Sequence, residues 1–427
     1  MESGEAVVLD RAKTNSGSVS RCLIVLGMMG RIPIAGVIWQ VLHYLEGFRR
    51  LGFDVYYVED TEAWSYDPEQ NTVTDDCTYA LNAIGTAMDS FGFSDRWAYR
   101  AVTHGGRWFG LSDSRVHQIF KRADILVNLT ASTVLREEHL RVPIRIYLET
   151  DPVLPQIEIA KGNASYIDLL SAHTHHFSYG ENLGAADCGV PVQRFHYLPT
   201  RQPVVLDWWK HSKLPIQNPA TPPPACFTTI ANWRQSGKDF DWNGETYTWS
   251  KHHEFLKFID LPRCTSARLE LALALRTGAA TPDRSWVRLS EEEAAAVHCL
   301  TVHGWKVINA MSFSTNLFSY RDYIQNSRGE FTVAKDQNVR LRSGWFSDRS
   351  ACYLAAGRPV ITQDTGFGKT IPTGEGVFSF SSMEDIIPAL ETIQSDYQKH
   401  SRAAREIAEE YFRSETVLAK LIDDVGL

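Results

Sequence analysis

Between Arg328 and Lys369 the chain runs from a short apolar strand (Phe331 to Ala334) through a basic connection into a polar turn, Ser343-Gly344-Trp345-Phe346-Ser347. A helix closed by Gly357 and a second strand, Pro359 to Thr362, follow. This is a βαβ-like unit, and it commits its part of the chain to an α/β domain. Ser347 stands where an N-cap is wanted, and Asp348 falls in the first turn, where a carboxylate suits the helix dipole. Gly357 suits a left-handed C-cap, and Arg358-Pro359 stops the helix. First-turn amides beside a glycine form a ready site for an anion such as a diphosphate. Charge points the same way. From Lys335 to Arg358, the bases Lys335, Arg340, Arg342, Arg349 and Arg358 meet only Asp336 and Asp348, in a chain whose net charge is −8. A local basic excess in an acidic chain suits a phosphate-bearing small ligand better than nucleic acid, which asks for a basic face across a domain.

The amino-terminal end has the same grammar. An apolar strand, Cys22 to Leu26, leads into Gly27-Met28-Met29-Gly30-Arg31-Ile32-Pro33, then into a helical stripe (Ile34, Val37, Ile38, Val41, Leu42, Leu45), and then into a second strand, Phe53 to Val58. Strand, glycine loop, helix and strand in that order open a doubly wound α/β domain. The glycines at 27, 30 and 36 lack the compact G-x-G-x-x-G spacing of a dinucleotide site. At 427 residues the chain is too long for one ordinary core. The sharpest composition shift, seven prolines from Pro199 to Pro224, marks the boundary. The expected organisation is a leader at 1–20, a first domain at 21–200, a linker at 201–224, a second domain at 225–410, and a terminal segment at 411–427. Further strands are expected at Asp124 to Leu129, Ile144 to Leu148, Cys226 to Ile230, Lys306 to Asn309 and Val377 to Phe380, and helices at Thr74 to Met88, Thr265 to Leu275 and Met383 to Tyr411.

The turn Ser343 to Ser347, the helix ending Ala355-Ala356-Gly357-Arg358-Pro359-Val360, and the loop Gln363-Asp364-Thr365-Gly366-Phe367 resemble the donor-binding half of GT-B glycosyltransferases. The amino-terminal glycine loop resembles the other half. The resemblance implies two Rossmann-like doubly wound domains facing a cleft, a nucleotide-diphosphate sugar held by the second domain, an acceptor held by the first, and a last helix that crosses back to the first domain. It also implies no metal and no cofactor beyond the sugar nucleotide. One departure stands out: the glutamate many such families carry in the helix is absent, with Ala351, Cys352 and Tyr353 around its place. The activity implied is transfer of a sugar to a hydroxyl of a small-molecule or glycan acceptor. The alternatives are an epimerase acting on the same donor and a catalytically silent subunit that binds sugar nucleotides or a partner.

Ligands of such domains belong at the carboxyl ends of the strands. A departing diphosphate needs cations or amides, and Asn232, Trp233, Arg234, Lys238, Lys335, Ser343, Gly344, Trp345, Phe346, Ser347, Asp364, Thr365 and Gly366 are the expected donor-site residues. Inverting and retaining transfer both stay open; in an inverting reaction the acceptor hydroxyl needs a base. Asp151, held in a loop by Pro152, is the first choice, and His104, in a glycine-rich aromatic loop, is the second. Gly27, Gly30, Arg31, Glu149 and His173 are expected on the acceptor side. His173 and His175 would share one face of a strand, but no third metal ligand accompanies them. Asp239-Phe240-Asp241 has the spacing of a metal-diphosphate motif but follows no clear strand.

The seven cysteines are scattered without a C-x-x-C pair, so neither a disulfide framework nor a zinc site is favoured. No apolar run reaches the ~20 residues of a membrane span, and the first twenty residues lack a signal-peptide core, so the expectation is a cytoplasmic protein. Its expected partners are the donor and acceptor, without nucleic acid.

Overall fold

The computed structural model describes residues 20–210, 226–235, 237–275 and 289–427. The expected leader (all but Ser20) and the expected linker from 211 onward lie outside the described residues. The first sheet contains β1 (Cys22–Leu26), β2 (Asp54–Glu59), β5 (Trp97–Ala101), β6 (Arg107–Gly110), β7 (Ile125–Leu129), β8 (Ile144–Glu149), β9 (His175–Ser178) and β10 (Leu198–Pro199). Its order is β10-β9-β8-β7-β1-β2-β5-β6, parallel among the described pairs except for β5 with β6. A ribbon of β3 (Ser65–Asp67) and β4 (Thr72–Thr74) stands apart.

The second sheet contains β11 (Cys226–Ala231), β14 (Arg268–Leu273), β15 (Lys306–Asn309), β16 (Gly329–Thr332), β17 (Val360–Gln363) and β18 (Val377–Phe380), in the order β15-β14-β11-β16-β17-β18. A hairpin of β12 (Phe240–Trp242) and β13 (Glu245–Tyr247) lies after β11. Both sheets are doubly wound: strand order reverses between β1 and β7 in the first and between β11 and β16 in the second. A crevice opens at each reversal, outside the carboxyl ends of the strands.

Strand β1, at the centre of the first sheet, is apolar along its length, as suits a strand covered on both faces; every residue of Cys22-Leu23-Ile24-Val25-Leu26 is buried. Helix Ala35–Arg50 covers the first sheet with Ile38, Trp39, Val41, Leu42 and Leu45. The last helix, Ser414–Asp424, lies on that helix, and a Cβ at Gly47 would sit 2.5 Å from Leu418. Close approach, rather than backbone conformation, is what calls for glycine there.

Three local expectations change. Thr265 to Leu275, expected to be helical, contains strand β14. Leu269, Leu271 and Leu273 alternate along it, and a parallel slot between β11 and β15 outweighs the helix propensity of Leu, Ala and Glu. Met383 to Tyr411 is two helices, Met383–Ser395 and Tyr397–Tyr411, broken at Asp396, whose carboxylate accepts from the Lys399 amide. Ser347 occupies the N-cap of helix Asp348–Ala355, but its hydroxyl makes no capping bond. The other end of that helix is as the sequence suggests: Gly357, at φ +68°, closes it with Gly357 N–H to Leu354 O at 2.8 Å and Arg358 N–H to Tyr353 O at 2.9 Å. Among the described residues no helix is long and apolar enough to cross a membrane.

Candidate functional site at the domain cleft

The reversal point of the second sheet is stitched by one side chain. Arg349, in the first turn of helix Asp348–Ala355, donates to Ile230 O on β11 (2.5 Å), to Thr332 Oγ1 on β16 (3.0 Å) and to Glu330 Oε1 (2.5 Å). Ser350 completes the shell of Glu330, which has no solvent exposure. Arg349 also lines a cleft of about 290 Å³ with Ile34 and Val37 from the first domain and Asn232, Lys251, Ala274 and Ser314 from the second. The cleft thus lies between the domains, beyond the ends of β11, β14 and β15. The Ser314 hydroxyl in its wall is buried without a hydrogen-bond partner.

Two lysines join Arg349. Lys335 follows β16, with its ammonium 3.2 Å from the centre of the Trp249 ring and in an ion pair with Asp151 of the first domain. Burial lowers its pKa, and Asp151 partly opposes that shift. Lys251 follows the β12–β13 hairpin, with its ammonium 5.2 Å from the centre of the Trp345 ring and, among the described residues, in no ion pair. Burial, with the neighbouring charges of Arg349 and Lys335, pushes its pKa down to about 7. A cation depressed by other cations marks a place where an anion would be welcome. Lys251 escaped sequence reasoning because the hairpin separates it from the end of β11, and nothing in its immediate neighbours signals a site.

The turn that looked like a phosphate nest directs its first three amides inward. Gly344 adopts φ +79°, and its amide donates to Thr365 O at 2.7 Å. A Cβ there would sit 2.4 Å from the Asn182 nitrogen. The Trp345 amide leans on the Ser343 hydroxyl (3.3 Å), itself bonded to Asn338. Phe346 packs between Phe367 and Phe412, Ser347 is buried, and the Thr365 hydroxyl donates to Trp345 O. Asp364 takes Arg342 and the Gly366 amide. Ser343 to Ser347 and Asp364 to Gly366 therefore form a seam against Asn182 of the first domain, with Trp345 Nε1 donating to Thr150 O at 3.0 Å. Cys352 and Tyr353, where the glutamate is missing, are buried.

The residues after β11 divide. Asn232 lines the cleft. Trp233 is buried against His252 and Phe255. Arg234 is exposed and pairs with Glu292. Lys238 stays close, its ammonium 4.5 Å from the centre of the Trp249 ring. Asp239 accepts from the Trp249 amide and Asp241 from Thr246, so both acids are occupied within the hairpin region.

On the first-domain side the glycine loop is sealed from within. The Glu59 carboxylate, at the end of β2 and fully buried, accepts from Gly30 N–H (2.7 Å), Arg31 N–H (2.6 Å) and Tyr57 OH (2.5 Å). Gly27 and Gly30 are glycines because a Cβ would meet Tyr57 at 2.9 Å and Tyr99 at 2.8 Å. The Arg31 side chain is exposed. Glu149 is buried at the end of β8, bonded by Ser178, Gln156 and Tyr147. Burial outweighs these bonds and raises the pKa of both Glu59 and Glu149 to about 7.

Asp151, two residues beyond Glu149, faces the cations across the cleft; one carboxylate oxygen meets Lys335 and the other is buried without a partner. His173 is not a cleft residue. It lies before β9, beside Thr174, which bonds Arg145 at the start of β8, and its nitrogens are spent on Leu169 O and the Asn128 amide. His104 sits on the outer β5–β6 side, 3.0 Å from the Thr103 hydroxyl and 3.9 Å from Cys77 Sγ, apart from Asp151.

Asp60, Glu138 and His139 have metal-like spacing, yet His139 Nδ1 accepts the Arg136 amide, which leaves the ring proton on Nε2 facing Asp60, and Arg136 already pairs with that acid. A larger hollow of about 490 Å³ beside helix Thr78–Ser90 is lined by Asp67, Glu69 and Asp76 and by no Lys or Arg, the wrong charge for a diphosphate.

No protein-family model and no curated protein matches the chain. Solved structures do resemble it. Anabaena HepE in complex with UDP and glucose aligns over 95% of this chain and 100% of its own, at 12% identity and a TM-score of 0.55. An alpha-glucosyltransferase in complex with UDP and a 13-mer DNA aligns over 96% and 100%, at 11% identity and 0.54. A glycosyltransferase from Rickettsia africae aligns over 95% and 98%, at 9% identity and 0.52. Two doubly wound sheets, a cleft at their carboxyl ends, and alignment over nearly the whole of each of these chains establish that this protein has the GT-B fold.

Proposed function

We propose that the protein transfers a sugar from a nucleotide-diphosphate sugar to a hydroxyl of a small-molecule or glycan acceptor. The observation that carries this reading is the group Lys251, Lys335 and Arg349 at the reversal point of the second sheet, with Lys251 depressed first by burial and then by its cationic neighbours, and in no ion pair among the described residues. In this reading Lys251 and Lys335 neutralise the diphosphate as it leaves, and Arg349 adds its fixed positive charge at the strand ends. Asn232 and Ser314 line the part of the cleft that would take the nucleoside. Asp151 accepts the acceptor hydroxyl's proton. The new bond from that oxygen to the anomeric carbon forms as the bond to the diphosphate oxygen breaks, which gives inversion. No metal takes part in this proposal.

The test is a thermal-shift and calorimetric panel of UDP, GDP, TDP, ADP and CDP, each with and without magnesium. The proposal expects one of them to stabilise the protein without the metal. Binding that requires magnesium contradicts the metal-free site, and no binding at all contradicts the donor site. Similar structures were solved with UDP, so UDP is the first member to try. One of those complexes includes DNA, so the acceptor screen that follows carries a DNA arm beside sugars and small hydroxyl compounds.

A further inference from the structure

We propose that the Asp151–Lys335 ion pair is a latch opened by the donor's diphosphate, so that donor binds before acceptor and Asp151 becomes available as a base only after the diphosphate is seated. The inference rests on the donor-site reading above. Lys335 belongs to the second domain and Asp151 to the first, and their pair bridges the cleft. The loop carrying Asp151 is held in place by the second domain, through Trp345 Nε1 on Thr150 O. Of the two carboxylate oxygens, Oδ2 receives Lys335 and Oδ1 is buried without a partner among the described residues. Oδ1 is closed off from the cleft, so an incoming hydroxyl reaches the carboxylate at Oδ2, where the Lys335 ammonium already sits.

Lys335 is 10% exposed at its side chain, so its charge needs a counter-ion, and in the unliganded protein Asp151 is that counter-ion. A diphosphate carries more negative charge than one carboxylate and could engage Lys251 and Lys335 together. It would therefore compete successfully for Lys335 and release Asp151 into the acceptor side of the cleft. Seating the leaving group and freeing the base thus become one event. An acceptor that arrives first meets an occupied carboxylate.

The experiment is isothermal titration of inorganic pyrophosphate, and separately of UDP, into the full chain and its variants Asp151→Asn, Lys335→Met and the double variant. Folding is checked by circular dichroism, with Asp151→Ser as the substitute if Asp151→Asn does not fold. Removing the competitor should tighten binding of both probes on the order of tenfold, and the gain should vanish in the Lys335→Met background. Equal affinity of the unaltered protein and Asp151→Asn overturns the latch while leaving the donor site standing. An equal gain with and without Lys335 also overturns it, because simple removal of a negative charge would then be the cause. No binding of either probe to any form overturns the donor site and the latch together.

Discussion

In the first sheet the strands that meet the cleft end in acids, Glu59 on β2 and Glu149 on β8, whereas in the second sheet the cleft is met by Lys335 after β16 and by Arg349 between β11 and β16. Both acids are internal fixtures. Glu59 fills the glycine loop's amides and Glu149 fills a pocket of hydroxyl and amide donors, so each is satisfied by its own domain. The cations are less complete: Lys335 reaches into the other domain for its carboxylate, and Lys251 has no ion pair among the described residues. Two sheets of the same winding therefore present opposite chemistry. The second sets cations at the cleft, and the first sets a carboxylate, Asp151, opposite them.

The sharpest way to break this contrast is Arg349→Ala, which strands Glu330 in the core. The loss should be about 3–5 kcal/mol in chemical denaturation, as for other buried pairs that lose one partner; a loss below about 1 kcal/mol would mean that Arg349 does not hold the strand ends together. Next comes Asp151→Asn on the acidic side, where turnover should fall by about two decades or more if this carboxylate takes the proton. Full turnover in that variant removes it from the chemistry.

Lys251 gives a smaller effect with a definite sign. In the free protein it loses its proton near pH 7, and a bound anion favours the protonated form. Diphosphate affinity should therefore be greatest below pH 7 and fall as pH rises past it, by up to about tenfold per unit. Lys251→Met should bind more weakly and show a flat profile, and a sloping profile in that variant assigns the titration to another group.

The smallest effect should come from Glu59→Gln. Because the native carboxyl titrates near 7 instead of 4.5, the native state holds the extra proton between those values, and the carboxylate's burial cost grows as pH rises through that window. The variant should flatten this part of the stability profile, cost about 1 kcal/mol in hydrogen bonds, and leave diphosphate affinity unchanged. A changed affinity would put the first glycine loop in the donor site after all.

Periodicity and punctuation carried the fold a long way. The strands at Cys22, Ile144, Cys226, Lys306 and Val377 and the helix after Gly30 were legible as apolar runs bounded by glycine and polar turns. Strand β14 was not legible, because Leu, Ala and Glu favour helix locally and only its sheet neighbours decide otherwise. Lys335 and Asp151, both expected from their places after strands, meet in an ion pair across the cleft. The turn Ser343 to Ser347 faces inward for a physical reason: glycine there serves a close approach to Asn182, and the Ser343, Gly344 and Trp345 amides are taken by the chain itself. Glycine loops announce bare amides in sequence, but only tertiary structure says who takes them. Arg234 and His173 likewise have partners that their sequence neighbours do not announce, Glu292 for one and Leu169 and Asn128 for the other.

A crystal structure of the protein with UDP bound would test the central claim most directly. The account predicts the diphosphate beside Lys251, Lys335 and Arg349, with Lys335 turned from Asp151 onto a phosphate oxygen. A diphosphate seated on Gly27 to Pro33 or at Arg234, with Lys251 and Lys335 untouched, would contradict it.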